Sequence, residues 1–189
     1  MTLAKTAEST LNQLVTAEVL WQLSASGKNY ELMQGELIEM SPPGGEHGDV
    51  ASELILLLRS FAKQHQLGKV LTETGFRLAS SPDTVRSPDV SFLSAAKIPA
   101  AGLPKGFIAG PPDLAVKVVS PNDTASEIQD KVQDYLAHGA QLVWVVYPEQ
   151  RVVVVHYPDG TARTLHEPDS LTGEAVVPGF TCRVGEIFG

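Results

Sequence analysis

Cysteine is almost absent from this sequence, whose 189 residues contain one, Cys182. A single cysteine forms no disulfide within the chain, which is typical of a reducing compartment. Long hydrophobic runs are also missing, because the longest aliphatic stretch, 54–58, is far shorter than the roughly 20 residues of a membrane-spanning helix. The N-terminus lacks the basic and apolar regions of a secretory signal. These absences predict a cytoplasmic protein with no membrane partner.

Positive charge is the second scarce feature, since 14 Lys and Arg stand against 22 Asp and Glu and give a formal net charge of −8. The phosphate backbone of nucleic acids favours basic surfaces. Tight, salt-resistant binding of DNA by the free monomer is therefore not expected. A restricted basic groove or a metal site built from carboxylates remains compatible with this charge.

What the sequence does contain is an ordinary globular composition, with 43% hydrophobic and 19% charged residues. Its length suits one domain with a substantial core. Residues 1–15 are polar and small with weak periodicity, and we predict that they form an N-terminal arm. Residues 16–189 are predicted to form a single domain.

Helical periodicity is clearest over 47–66, where apolar residues recur on one face, and this helix is predicted to end at Gly68. A short helix up to Leu23 is predicted to begin after Thr16 as its N-cap. A third helix follows the turn at 121–124. These helices are expected to cover a sheet rather than to form a bundle.

Strand-like segments separate the helices. Residues 30–32 and 36–40 read as a hairpin, while 69–74 and 75–78 read as two tightly joined strands. Further strands are predicted around the segment 86–92 and in four later segments, 112–121, 142–147, 151–157 and 161–165. The order of elements predicts a mixed α/β (α+β) fold with a central mixed sheet flanked by helices.

Asp89 is the first candidate for a functional site. In the strand-like segment that contains it, Asp89 and Ser91 share one face and Val90 and Phe92 the other. A carboxylate in this position can bind Mg²⁺, which prefers oxygen ligands. It can equally be a strand-end side chain that accepts backbone hydrogen bonds.

Lys117 lies in the middle of the next strand-like run, on the same face as Ala115 and Val119. A buried ammonium must find an anion or lose its proton. Asp89 on the adjacent strand is the predicted partner, so we predict a buried ion pair. A catalytic role for Lys117 is the alternative.

The helix after 121–124 carries Glu127 and Lys131 one turn apart. Lys131 could orient an attacking water or stabilise charge on a phosphorane. A surface pair between the two side chains explains both residues more simply and is favoured on the residues alone. By the same reasoning, Glu36 and His47 are expected to be hydrated surface groups, with His47 a possible polar cap of the long helix.

Taken in order, these segments resemble the Uma2 family, also catalogued as DUF820, of the PD-(D/E)xK restriction-endonuclease-like superfamily. The resemblance runs from about Thr16 to Phe188. Its pieces are Tyr30-Glu31-Leu32 with Gly35-Glu36-Leu37, Ser41-Pro42, His47, Ser87-Pro88-Asp89-Val90, Pro112-Asp113-Leu114 with Val119-Ser120-Pro121, the Lys131, Tyr135 and Gly139 spacing, Val143-Trp144-Val145-Val146 and Pro178-Gly179-Phe180.

The resemblance implies a nuclease that depends on Mg²⁺ or Mn²⁺ and acts on DNA, with Asp89 as the first metal ligand. The second acidic ligand would fall at position 117, where this chain has lysine, and the catalytic lysine would be Lys131. Glu36 and His47 match rim or supporting positions. Some members of the superfamily resemble a swapped arrangement, in which the strand supplies the lysine and the following helix supplies the acid. In this chain, that arrangement would make Lys117 the catalytic cation and Glu127 the acid.

The sequence therefore predicts a metal-dependent endonuclease-family protein that hydrolyses phosphodiester bonds of DNA, with Lys117 opposing that activity. The alternative is a catalytically inactive module on the same fold that binds nucleic acid or a protein. A homodimer is compatible with both, because members of the superfamily often pair.

Overall fold

The computed structural model describes residues 14–24, 27 and 29–189, so residues 1–13 of the predicted N-terminal arm lie outside the described residues. The described chain has a mixed α/β fold, as predicted. No helix in this part of the chain is both long and apolar enough to cross a membrane. The helices and strands are, in chain order, α1 (Ala17–Leu23), β1 (Tyr30–Met33), β2 (Glu36–Glu39), α2 (Gly45–Gln64), β3 (Gly68–Thr72), β4 (Phe76–Ala79), β5 (Thr84–Arg86), β6 (Val90–Ser94), β7 (Ile108–Ala109), β8 (Leu114–Val118), α3 (Ala125–Ala137), β9 (Leu142–Tyr147), β10 (Val152–His156), β11 (Ala162–His166), β12 (Ser170–Thr172) and β13 (Thr181–Arg183).

The larger sheet has six strands in the order β11-β10-β9-β8-β6-β3. Only the pair β8 and β9 is parallel among its described neighbours, and α3 makes the connection between those two strands. A parallel pair needs such a crossover, whereas antiparallel strands can follow one another through tight turns. The mixed sheet is thus a direct consequence of the helix inserted after β8.

Strand β8 lies in the centre of the molecule with both faces covered. Leu114, Val116 and Val118 pack in the same core cluster as the apolar face of α2. Ala115 lies in a second cluster with the apolar face of α3. The predicted alternation along β8 is confirmed, and it places Lys117 on the side of the sheet that α3 covers.

The end of α2 differs from its prediction. The helix stops at Gln64, and Gln66 reverses the chain in the left-handed conformation with φ of 54°. Gly68, the predicted stop, is instead the first residue of β3. A Cβ atom at Gly68 would lie 2.1 Å from the carbonyl oxygen of Leu93, so the close approach of β3 to β6 is what requires glycine there.

A second sheet of five strands, in the order β2-β1-β5-β4-β7, carries α1 on one face. The predicted hairpin is confirmed as β1 and β2, and Thr16 is the N-cap of α1. The two tightly joined strands are present as β3 and β4, which belong to different sheets. One prediction is wrong here, because the strand-like segment 86–92 is divided between β5 and β6. The turn at 87–89 between those strands brings Asp89 to the place where the two sheets meet.

Candidate functional site

A cleft of about 1060 Å³ opens where the β1–β2 hairpin, the first turn of α2, the end of β8 and the start of α3 meet. Five of the six predicted site residues line it, and Glu36 does not, since its side chain is exposed on β2. The five are His47, Asp89, Lys117, Glu127 and Lys131. The fold therefore gathers residues that are far apart in sequence at one edge of the central sheet.

Asp89 precedes β6 and is held by three groups. The Val118 N–H donates to its Oδ2 over 2.6 Å, and Nε2 of His47 lies 3.3 Å from its Oδ1. Nζ of Lys117 lies 3.8 Å from Oδ2. Burial raises the pKa of the Asp89 carboxyl, but the His47 hydrogen bond, the Lys117 charge and the Val118 N–H outweigh it and hold the pKa below its usual value. Asp89 is therefore a carboxylate whose charge is already compensated.

Lys117 forms the buried ion pair that the sequence predicts, with 7% of the residue exposed. Its shorter contact is to a second carboxylate, since Nζ lies 2.8 Å from Oδ2 of Asp123. Asp123 also accepts the Ser120 N–H over 2.7 Å, so the turn before α3 folds back over the end of β8. Alternation along a strand gives no information about a turn, which is why Asp123 is missing from the prediction.

The predicted surface pair between Glu127 and Lys131 is wrong. Glu127 is exposed and accepts hydrogen bonds from the Thr124 N–H and hydroxyl over 2.8 and 2.7 Å, which completes a capping box at the start of α3. These bonds hold the pKa of Glu127 below its usual value. Within the described residues no ion pair joins Glu127 to Lys117, so the geometry gives the predicted swap no support.

Lys131 is buried and reaches the opposite wall of the cleft, where its Nζ lies 3.0 Å from Oε2 of Glu31. The same carboxylate accepts the Ser87 N–H and faces Nη1 of Arg86, each at 2.9 Å. Asp134 on α3 binds the other side of the Arg86 guanidinium, with 2.7 Å from Nε to Oδ2. This network ties β1, β5 and α3 together.

Glu31, Arg86 and Asp134 are functional-site neighbours that the sequence reasoning missed. Burial lowers the pKa of Arg86, but Glu31 and Asp134 outweigh it and raise the pKa above its usual value. The available signal was weak. Glu31 belongs to a segment quoted for the family resemblance and Arg86 to the strand-like segment 86–92, but neither lies in an apolar pattern that predicts the direction of its side chain.

The expectation of a hydrated surface position for His47 is also wrong, because only 8% of this residue is exposed. His47 lies in the first turn of α2, and its Nδ1 is buried with no hydrogen-bond partner among the described residues. The helix begins two residues earlier than the sequence suggests, at Gly45, so His47 lies within the helix, on its buried face and against Asp89. Glu36, by contrast, is exposed as expected.

The residues present do not fit a divalent metal ion. Mg²⁺ and Mn²⁺ need several oxygen ligands around one position. Here the Asp89 carboxylate faces an ammonium, an imidazole and a backbone N–H, and the Glu31 carboxylate faces two cations and a backbone N–H. Across residues 14–24, 27 and 29–189, no group of three or more His, Cys, Asp or Glu side chains could hold a metal.

The mixed sheet between α2 and α3, with Asp89 and two lysines at one end, defines a restriction-endonuclease-like fold. The Uma2 family, described as "Putative restriction endonuclease", matches residues 17–185, and the chain belongs to this family. A crystal structure described as a putative nuclease belonging to DUF820, from Anabaena variabilis, has the same fold with a TM-score of 0.82. The two sequences are 20% identical, and the superposition covers 92% of this chain and 97% of that one. No match was found among curated proteins.

Proposed function

We propose that this Uma2-family protein does not carry out metal-dependent hydrolysis of DNA and that its cleft serves as a binding module. The observation that supports this is the position of the Lys117 ammonium, 2.8 Å from Asp123 and 3.8 Å from Asp89, where the family resemblance implies a second carboxylate. A cation at this position opposes the binding of another cation beside Asp89.

Electrostatic magnitudes favour the loss of metal binding. Two unit charges about 4 Å apart interact by roughly 4 kcal/mol at an effective dielectric constant near 20, so an ammonium and a divalent ion would repel by about 8 kcal/mol. Movement of the lysine side chain reduces that figure. Even a quarter of it, about 2 kcal/mol, lowers the affinity for the metal more than tenfold.

Lys131 does not compensate for this loss. A lysine that assists an attacking water must have its ammonium available to the substrate. The Lys131 ammonium is buried against Glu31 at 3.0 Å, and it neutralises a carboxylate that is itself only 1% exposed. Its role in this chain is therefore to stabilise the wall of the cleft.

Nucleic acid is the ligand class that we propose for the cleft. Besides the lysines of the site, its described lining includes Lys105 and an aromatic pair, Trp21 and Phe107, whose rings meet edge to face at 5.4 Å. Trp21 is half exposed. Basic and aromatic groups together are what single-stranded nucleic acids contact through phosphates and bases.

A protein partner is the second candidate, and the charge of the lining favours it. Among the described lining residues seven are Asp or Glu and four are Lys or Arg. This excess of carboxylates, together with the formal net charge of −8, predicts that any binding of nucleic acid is weak and is strongest at low salt. If no binding of oligonucleotides is detected even at low salt, the result would favour the protein-interaction module over nucleic-acid binding.

The experiment is a plasmid-cleavage assay with Mg²⁺ or Mn²⁺, run on the parent, Lys117→Glu and Lys117→Glu/Asp89→Ala. The parent is expected to cleave no faster than the double variant. Lys117→Glu restores a second carboxylate beside Asp89 and is expected to bind metal better than the parent and to cleave faster. Metal-dependent cleavage by the parent that is faster than cleavage by the double variant would overturn the proposal. A folded Lys117→Glu protein with no gain would show that position 117 is not the missing ligand.

A further inference from the structure

Two carboxylates converge on one point at the end of β8. Oδ2 of Asp89 and Oδ2 of Asp123 lie 3.8 and 2.8 Å from the same atom, Nζ of Lys117. Their side chains are mostly buried, with 17% and 15% exposed, so two uncompensated charges here would be costly. The position between them is one that requires a positive charge.

We propose that Lys117 is the resident cation of a two-carboxylate site, with its ammonium in the position that a metal ion would otherwise take. A carboxylate at position 117 together with a divalent ion would carry one positive charge, which is the charge that Lys117 supplies alone. This proposal rests on the proposed loss of metal-dependent hydrolysis. With Lys117 in place, the cleft keeps its charge and its shape without a bound metal ion.

The contacts around the ammonium show what it holds in place. Asp123 accepts the Ser120 N–H and so fixes the turn that leads to Thr124, the N-cap of α3. Asp89 accepts the Val118 N–H and so fixes the loop before β6. The Lys117 ammonium joins these two carboxylates, and the wall of the cleft therefore depends on it.

A latent metal site follows from the same geometry. Nε2 of His47 lies 3.3 Å from Oδ1 of Asp89. Removal of the ammonium leaves the two carboxylates around a single position, with the His47 imidazole against one of them. Carboxylate and imidazole are ligand types that divalent transition metals accept, and carboxylates suit Mn²⁺ in particular. A neutral side chain at position 117 is thus expected to admit Mn²⁺ into the parent's cation position.

The test is thermal unfolding of four proteins in EDTA and in millimolar MnCl₂. Lys117→Met removes the charge but keeps much of the volume, Lys117→Arg keeps the charge, and Lys117→Met/Asp123→Asn also removes one carboxylate. In EDTA, Lys117→Met is expected to lower Tm by roughly 6–12 °C, because it leaves buried carboxylates without a cation. Mn²⁺ is expected to restore part of that loss and to leave the parent and Lys117→Arg unchanged.

The double variant is the discriminating control. It is expected to be more stable in EDTA than Lys117→Met, because one uncompensated carboxylate is gone, and to lose the response to Mn²⁺. If Mn²⁺ stabilises the parent as much as Lys117→Met, or if folded Lys117→Met does not respond, Lys117 does not fill a cation site. If Lys117→Met does not fold in EDTA, Lys117→Gln replaces it with the same expectations. These readouts are independent of DNA cleavage, so this inference and the proposed function can fail separately.

Discussion

Glu31 has the most deeply buried carboxylate of the cleft, with 1% of the residue exposed. It compensates two cations, Arg86 at 2.9 Å and Lys131 at 3.0 Å, and it accepts the Ser87 N–H. A buried ion pair adds little net stability when it is intact, but the loss of one partner leaves an uncompensated charge. Loss of Glu31 would leave the buried Lys131 ammonium without its anion and Arg86 with Asp134 alone.

We therefore expect Glu31→Ala to lower the free energy of unfolding by about 3–5 kcal/mol. Glu36→Ala is the matched control on the same hairpin, because Glu36 is exposed and its loss is expected to change stability by less than about 0.5 kcal/mol. Denaturation in urea monitored by circular dichroism measures both. Similar losses in the two variants would mean that Arg86 and Lys131 find other anions.

At the scale of the element, α3 depends on its first turn. The Thr124 hydroxyl accepts the Glu127 N–H over 3.2 Å, while the Glu127 carboxylate accepts the Thr124 N–H. A capping box satisfies N–H groups that have no partner within the helix. The same helix carries Lys131 and Asp134 to the cleft, so its first turn helps to position the site.

Thr124→Ala is expected to destabilise the protein by about 1 kcal/mol, because it removes the side-chain acceptor of the N-cap. Thr124→Ser keeps a hydroxyl at the same place and is expected to stay close to the parent. Urea denaturation of the three proteins side by side gives the comparison. An equal loss in the serine variant would assign the effect to the threonine methyl group rather than to the cap.

Sequence periodicity predicts those parts of the fold and site that lie on regular elements. Alternation along β8 fixes the face of Lys117, and the antiparallel pairing of β6 with β8 places Asp89 beside it. The sequence does not predict the contact of Asp123, because this residue lies in a turn, where no periodicity determines the direction of a side chain. It does not predict Glu31 as the partner of Lys131, because that contact depends on how the two sheets meet, which no local pattern encodes.

The first turn of α2 shows the same limit at an element boundary. Helix periodicity places the start near His47, and the actual start at Gly45 changes that residue from a surface cap into a buried partner of Asp89. A shift of two residues is unimportant for the fold but decisive for a site built at the end of a helix. Element ends, together with contacts between the two sheets, are therefore where the site prediction failed.

At the scale of the whole molecule, the single cysteine is a natural reporter of folding. Cys182 on β13 is 7% exposed and packs in the core cluster that includes the apolar face of α2. Burial, followed by the nearby charge of Glu186, raises the pKa of its thiol to about 12. The thiolate is the reactive form of cysteine, so both burial and protonation of the thiol protect native Cys182 from thiol reagents.

We expect a thiol reagent such as Ellman's reagent to modify Cys182 only when the core opens. The labelling rate of the native protein should stay low between pH 7 and pH 9, because a thiol with a pKa of about 12 remains protonated across that range. Unfolded chains regain an ordinary cysteine pKa near 8.5, so in denaturant the rate should be high and should rise with pH. The Glu31→Ala variant should label faster than the parent under native conditions, whereas Glu36→Ala should not. Rapid labelling of the native parent would show that the end of the molecule around β13 opens independently of the core.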